Sequence, residues 1–188
     1  MHRIAAALAM VVLACAVGAA PESYTVDPRH TFPRWAVSHH GFSIHRGQFN
    51  STTGKMTVDW LAKTGSLAID VETASIGTGD PEFDKVLRGD NFFATDKHPK
   101  MTFRSQQMRF EGESPREVSG ELMLLGVTRP VAFRINGAKC GIHPVSKKAL
   151  CGAEVTGTIK RSDFGMKFGL PSVGDDVRLT IQFEAFKD

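Results

Sequence analysis

Period-two alternation, repeated along most of the chain, is the feature that most limits what this sequence can fold into. Val131, Phe133 and Ile135 alternate with Ala132, Arg134 and Asn136, the pattern of a strand with one buried and one wet face. Before it, Val118, Gly120, Leu122 and Leu124 share one face, Ser119 and Glu121 begin the other, and Gly126 to Pro130 reads as the turn between the two arms. The alternation returns at Val155, Gly157 and Ile159 and at Val177, Leu179, Ile181 and Phe183. Upstream it runs through Trp35, Val37 and His39, through Met56, Val58 and Trp60, through Leu67, Ile69 and Val71, and through Met101 and Phe103. Each strand offers one apolar stripe to a shared interior. Many strands joined by meander turns predict an all-β fold, a closed antiparallel barrel of eight strands.

A barrel of that size is just wide enough to fill with side chains or to hold one small ligand. Gly120, Gly157 and Ala153 lie in phase with the apolar stripes and would leave room inside. On this reading Gly120→Trp fills the channel while keeping the strand. Pro33 lacks a backbone donor, so its strand should be an edge there or be bulged. Phe42 to Arg46 is a strand continuation or a bend, Thr64-Gly65 a hairpin turn, and Gly137 to Gly152 a long loop.

The stretch from Ala74 to His98 breaks the alternation. Asp80-Pro81 supplies an N-cap followed by proline at the first helical position. Phe83, Val86 and Leu87 then share a helical face, and Phe92 and Phe93 follow in a short turn. These rings should pack over the open end of the sheet as a plug or lid, a short helical segment capping one end.

Residues 1–19 read as a secretory signal peptide: a basic start at His2-Arg3, an apolar run from Ile4 to Val17, then small residues. The run is too short to span a bilayer. A rival reading makes Cys15 a lipidated cysteine in a loose lipobox. Residues 20–188 are then a single exported domain, periplasmic or secreted, with no transmembrane segment expected. The formal net charge of +3 comes from scattered basic residues, too weak a field to argue for nucleic acid. Cys140 and Cys151, two cysteines in one loop of an exported chain, predict a disulfide.

Several ordered motifs resemble those of the YceI-like family of exported lipocalin-like proteins. Asp27-Pro28-x-His30-Thr31, His39 and Gly47-x-Phe49 are similar to its opening motif. Asp84-x-x-Leu87-x-x-x-x-Phe92-Phe93 and His98-Pro99-x-Met101-Thr102-Phe103 resemble its centre. Gly120-x-Leu122-x-Leu124-x-Gly126-Val127-Thr128-Arg129-Pro130-Val131, Arg161-Ser162-Asp163-Phe164-Gly165-Met166 and Val173-Gly174-Asp175-Asp176-Val177 resemble its later signatures. The resemblance implies a lipocalin-like barrel whose long apolar channel binds a polyisoprenoid chain such as a quinone tail. It also implies a periplasmic location and allows a homodimer. Thr31 stands where serine is common, Pro33 interrupts a strand, and the cysteine loop looks like a local addition.

The expected ligand-binding residues are Trp35, Val37, Ile69, Phe103, Leu122, Leu124, Phe133, Ile159 and Ile181 along the interior, with Phe83, Leu87, Phe92 and Phe93 closing one end. No cofactor is expected beyond a bound isoprenoid lipid or quinone. His39, His40 and His45 are the densest histidine group. Strand neighbours point to opposite faces, and Gly41 bends the chain between His39 and His45, so no metal site is expected. Asp84, Arg161 and Asp163 could meet, either to bind a polar head group or, the favoured reading, as an ion pair tying lid to loop. Nucleophile-elbow, phosphate-loop and paired-acid patterns are missing, which argues against an enzyme. The alternatives to a lipid carrier are a lipid-modifying enzyme and a filled barrel acting through a protein partner.

Overall fold

The computed structural model describes residues 20–188. In chain order the strands are β1 (Glu22–Val26), β2 (Phe32–His39), β3 (Ser43–Phe49), β4 (Thr52–Asp59), β5 (Thr64–Glu72), β6 (Ile76–Gly77), β7 (Lys100–Glu111), β8 (Ser114–Leu124), β9 (Val127–Ile142), β10 (Ala149–Lys160) and β11 (Asp176–Lys187). One helix, α1 (Pro81–Arg88), follows β6. All strand pairings are antiparallel, and β1-β4-β5-β7-β8-β9-β10-β11 close into a ring of eight through the β1–β11 pair. The expected signal peptide lies outside the described residues.

Ring closure depends on a kink. β11 pairs with β1 along its C-terminal part (Tyr24↔Lys187 to Val26↔Ala185) and with β2 further up (Phe32↔Gln182 to Ala36↔Arg178). Residues 27–31 leave the ladder between the two. Thr31, 1 % exposed, fills the gap with its hydroxyl, which donates to the Glu184 carbonyl and accepts from the Glu184 N–H, both at 3.1 Å. The Asp27 N–H donates to the same carbonyl at 2.9 Å, and the Asp27 carboxylate accepts from the Arg29 N–H at 2.9 Å. The Glu184 N–H and carbonyl, left between the two ladders by the kink, thus both find partners.

β2 and β3 continue above this junction as a hairpin, and short β6 adds to the outer side of β3. Pro33 pairs with Ile181 on β11, while the β3 ladder begins only at Arg34. The missing donor therefore faces an unpaired edge, as the sequence reading required. At the other end of the barrel, Glu22 accepts from the Lys187 ammonium, the Tyr24 hydroxyl and the Trp60 indole. Hydrogen bonds from Lys187 and Tyr24, the two leading causes, lower the Glu22 pKa to about 2.

Several turns are tighter than the sequence reading had them. The expected Gly126–Pro130 turn is only Leu125-Gly126, both at positive φ, a two-residue hairpin of the kind that suits strand twist. Thr128, Arg129 and Pro130 therefore belong to β9 and pair with Met123, Leu122 and Glu121. Residues 60–63 make the β4–β5 turn, with Lys63 at positive φ, so Thr64-Gly65 is already strand. The loop expected over Gly137 to Gly152 shrinks to residues 143–148, and Cys140 pairs directly with Cys151 across the ladder. Their disulfide joins Cα atoms 4.0 Å apart, the close approach of directly opposed residues on neighbouring antiparallel strands.

Helix α1 starts as its sequence predicts. Asp80 caps it by accepting from the N–H groups of Glu82 and Phe83. Of its apolar face, Leu87 is buried and Phe83 half-buried, but Val86 is 55 % exposed.

Replacing Thr31 by valine keeps the shape and removes the hydroxyl, leaving the Glu184 N–H without its partner. Such a loss costs on the order of 2 kcal/mol. Chemical unfolding should show that loss for Thr31→Val and almost none for Thr31→Ser. Equal stability of Thr31→Val and wild type would show that the kink does not depend on the hydroxyl.

Candidate functional site

The inward faces of β4, β5 and β7 to β11, together with the β2–β3 hairpin and the lid, surround an apolar cavity of about 640 Å³. It runs from beneath α1 to the neighbourhood of Cys140 and Cys151. Trp35, Val37, Ile69, Phe103, Leu122, Leu124, Phe133, Ile159 and Ile181 all line it along the barrel, and Phe83, Leu87, Phe92 and Phe93 line it at the lid end. Register explains the convergence: Ile69 pairs with Phe103, Phe103 with Leu122, and Leu179 with Trp35. Cross-strand partners point to the same face, so one correct parity propagates around the ring.

The room inside does not come from the glycines. A Cβ at Gly120 would lie 2.3 Å from the Arg104 carbonyl oxygen and 2.9 Å from the Phe103 ring. One at Gly157 would lie 2.5 Å from the Phe133 ring. The two phenylalanines, whose rings meet edge to face at 5.4 Å, lean over these glycines and fill the space expected there from the sequence. Gly120→Trp would therefore push on backbone and break the sheet. Ala153, by contrast, lines the cavity and is only partly buried.

Two segments close the lid end. On one side α1 and the following turn are fastened by Arg88, whose guanidinium donates to the carbonyls of Ala74 (3.0 Å) and Ile76 (3.1 Å). Phe93 meets Phe49 edge to face at 5.3 Å. On the other side, the segment between β10 and β11 wraps around Arg161. This side chain is 3 % exposed. It donates to the carbonyls of Gly174 (2.8 Å), Met166 (3.0 Å), Phe168 (2.9 Å) and Val173 (3.0 Å). The two sides touch where Phe92 meets Phe168 at 5.5 Å.

Asp84, Arg161 and Asp163 do not form the expected ion pair. Asp84 accepts from the N–H and hydroxyl of Thr78, Arg161 is committed to carbonyls, and the Asp163 backbone carbonyl accepts from Arg129. A guanidinium presents five donors in a fixed fork and can organise a loop without any carboxylate. An arginine in a polar-looking motif gave no sequence signal for this role.

The histidines also differ from the sequence reading. Gly41 does not separate His39 from His45; it makes the tight turn of the β2–β3 hairpin, and His40 beside it takes positive φ. His39 and His45 stack at 4.0 Å, His40 meets His39 edge-on at 4.2 Å, and Phe83 of the lid meets His45 at 5.2 Å. All three histidines line the cavity mouth. Partial burial, and then the nearby His45 and His40, hold the His39 pKa below its ordinary value. Stacked rings present faces to each other rather than converging nitrogens. Among the described residues, the set whose ligand atoms do converge is Asp27, His30 and Glu184, within 4.8 Å of one another. It does not line the cavity, and His30 Nδ1 is already engaged by Asp27 at 2.7 Å. That hydrogen bond, followed by the coulombic effects of Asp27 and Glu184, raises the His30 pKa.

Comparison with known proteins agrees with the geometry. A family model described as YceI-like domain matches residues 24–185. A UPF0312 protein of Pseudomonas putida strain W619 is 32 % identical over 186 residues, covering 97 % of this chain and 95 % of its own length. Among solved structures, a Campylobacter jejuni YCEI protein aligns with a TM-score of 0.67 at 27 % identity, over 78 % of this chain and 87 % of its own. A polyisoprenoid binding domain from Saccharophagus degradans, implicated in plant cell wall breakdown, shares the fold with a TM-score of 0.65 at 14 % identity, over 89 % and 99 % of the two chains.

Two measurements check this description. Arg161→Met should lower stability by on the order of 3 kcal/mol, because four carbonyls lose a charged donor. It should also open the segment 166–174 to protease; unchanged stability and resistance would remove Arg161 from its organising role. In NMR titration His30 should titrate above 6.5 and His39 below it. The raised group stabilises the fold fully below 6.5, and this is lost as pH rises through its folded pKa. The lowered group stabilises above 6.5, and this is lost as pH falls through its folded value. Asp27→Asn should return His30 toward 6.5 and leave His39 unmoved; a His30 that ignores the change would refute the pairing.

Proposed function

The chain belongs to the YceI-like family, and from that premise we propose that it is a carrier or store for a long apolar ligand of the isoprenoid type, lying along the barrel interior. The observation that carries this reading is the continuous apolar cavity of about 640 Å³ within a ring whose strands cannot collapse onto one another. A filled barrel acting through a partner would have no use for it. Burying apolar ligand surface contributes about 25 cal/mol per Å², so a long tail binds without a strong polar anchor. Cavity-lining methionines at positions 56, 101, 108 and 166 supply an adaptable wall. The polyisoprenoid binding domain that shares this fold supports the ligand class.

Binding without turnover is the reading we favour over a lipid-modifying enzyme. Among the described residues no histidine nitrogen is hydrogen-bonded to a serine or cysteine side chain, His143 Nδ1 accepting only from backbone N–H groups, and the mouth histidines face one another. The signal-like start of the sequence and the disulfide support action outside the cytoplasm.

Ala153→Trp tests the proposal. It places an indole in the cavity from a position without the backbone clash found at Gly120. Organic extracts of wild-type protein should contain an isoprenoid lipid by mass spectrometry, and extracts of folded Ala153→Trp should not. Wild-type extracts free of lipid, with no rise in melting temperature on adding quinone or polyprenol, would overturn the carrier reading.

A further inference from the structure

Three apolar side chains stand in solvent around the lid end of the cavity, one from each segment that meets there. Phe42, at the tip of the β2–β3 hairpin, is 93 % exposed, and Val86 on α1 and Phe168 in the β10–β11 segment are each more than half exposed. Val86 and Phe168 also line the cavity, as do His39 and His40 just before Phe42. The three segments touch one another: His45 meets Phe83 of the lid, Phe92 meets Phe168, and His39 bridges to Val173. The hairpin tip is fastened too. The His40 N–H donates to the Ser172 carbonyl at 2.7 Å, the Gly174 N–H to the Ser38 carbonyl at 2.8 Å, and the Phe42 N–H to the His39 carbonyl at 3.1 Å. Phe42 is therefore presented by a fixed turn. An apolar rim held in place around an apolar opening reads as a contact surface.

Charge on the outer face of the same hairpin points to the partner. Arg178 on β11, Ala36 on β2 and Arg46 on β3 are consecutive cross-strand partners, so two arginines flank a small residue with their backbones about 10 Å apart. Arg34, two residues before Ala36, shares their face. All three arginines are exposed. Among the described residues none of them forms an ion pair, whereas Lys55, Lys63, Arg104, Arg109 and Lys187 elsewhere on the barrel each meet a carboxylate. Asp176, two residues from Arg178, is held by Lys160 at 2.7 Å. Arg46 gives one N–H to the Ile44 carbonyl and Arg34 one to Gln48, out of the five that a guanidinium carries. Of the acids on α1, Asp84 serves Thr78, and Glu82 is offset by Lys85 on the next turn.

We propose that the lid end is a docking surface for an anionic lipid bilayer. Phe42, Val86 and Phe168 enter the acyl boundary, and Arg46 and Arg178, with Arg34 behind them, engage lipid phosphates. Arg46 lies four residues behind Phe42, about 13 Å of strand. Cations set back from an apolar tip are how interfacial anchors hold to anionic membranes, and a guanidinium matches phosphate geometry. The opposite end also exposes apolar residues, Leu61, Ile142 and Val145, but none of these lines the cavity. This rests on the carrier reading, since a water-insoluble ligand is exchanged with a bilayer, and adds which end of the barrel faces it.

Flotation with vesicles that contain no isoprenoid tests docking apart from ligand binding. Wild type should bind vesicles of phosphatidylcholine with phosphatidylglycerol, and bind phosphatidylcholine vesicles several-fold more weakly. Phe42→Ser should weaken binding about tenfold on both. Arg46→Gln and Arg178→Gln should each weaken it about fivefold on the mixed vesicles and hardly at all on the neutral ones. Val145→Ser, at the opposite end, should change nothing. Should Phe42→Ser fail to fold, Val86→Ser tests the same rim from another element. A wild type that does not float, equal losses for Phe42→Ser and Val145→Ser, or arginine variants that bind the mixed vesicles like wild type would overturn the docking surface. The carrier reading is decided separately, by the lipid found in extracts.

Discussion

The Thr31 hydroxyl and the Glu184 backbone hold the point on which the barrel depends. A closed sheet has no free edge, so β11 must find partners along its whole length. One straight strand cannot both complete the lower ring and rise into the β2–β3 hairpin. The chain solves this by dividing the task between β1 and β2, and the divide would leave the Glu184 amide unpaired without Thr31. The opening motif Asp27-Pro28-x-His30-Thr31 is thus a corner. Proline starts the turn, Asp27 gathers the Arg29 amide and the His30 ring, and Thr31 closes the ladder. A serine hydroxyl would do the same, which is why threonine in that place leaves the barrel unaltered.

With the ring closed by backbone hydrogen bonds, the interior is free to remain under-filled. Strands held on both sides cannot move inward to fill a void, unlike helices in a bundle. The large rings that do enter the space, Phe103 and Phe133, are seated over Gly120 and Gly157. Glycine there is a recess for an aromatic side chain, so the net room is set by ring geometry and not by the small residues themselves. The same pairing of large with small recurs at Trp35 over Gly47.

Period-two parity made the walls legible. The nine interior positions named from alternation, from Trp35 to Ile181, do line the cavity, since alternation is a local property that survives errors in strand ends; the four at the lid, Phe83, Leu87, Phe92 and Phe93, were read from a helical face and a turn instead. What parity cannot report is depth. It placed Gly120 on the inner face without revealing that Phe103 covers it. Turn ends were lost where a residue other than glycine takes positive φ, as at His40, Lys63 and Leu125. The histidine stack was missed because it needs the hairpin at Gly41, which reads equally as a bend. Arg161 was missed because its partners are carbonyls, which every residue carries.

The lid end combines two fastenings of unlike strength with a seam between them. Arg161 binds the β10–β11 segment through four charge-assisted hydrogen bonds, and such bonds are about twice as strong as neutral ones. Arg88 and the Asp80 cap hold α1 to β6 and to its own first turn. Between the two units, among the described residues, the Phe92 and Phe168 rings meet edge to face and no hydrogen bond is found across the seam. Phe168 and Val86 beside it are each more than half exposed. Parting two apolar surfaces forfeits only their buried area, whereas unwinding either unit would strand charged donors or carbonyls. The cheapest way to open this barrel is therefore along that seam, with both units intact. Such an opening would lead into the cavity that His39, His40, His45 and Trp35 line.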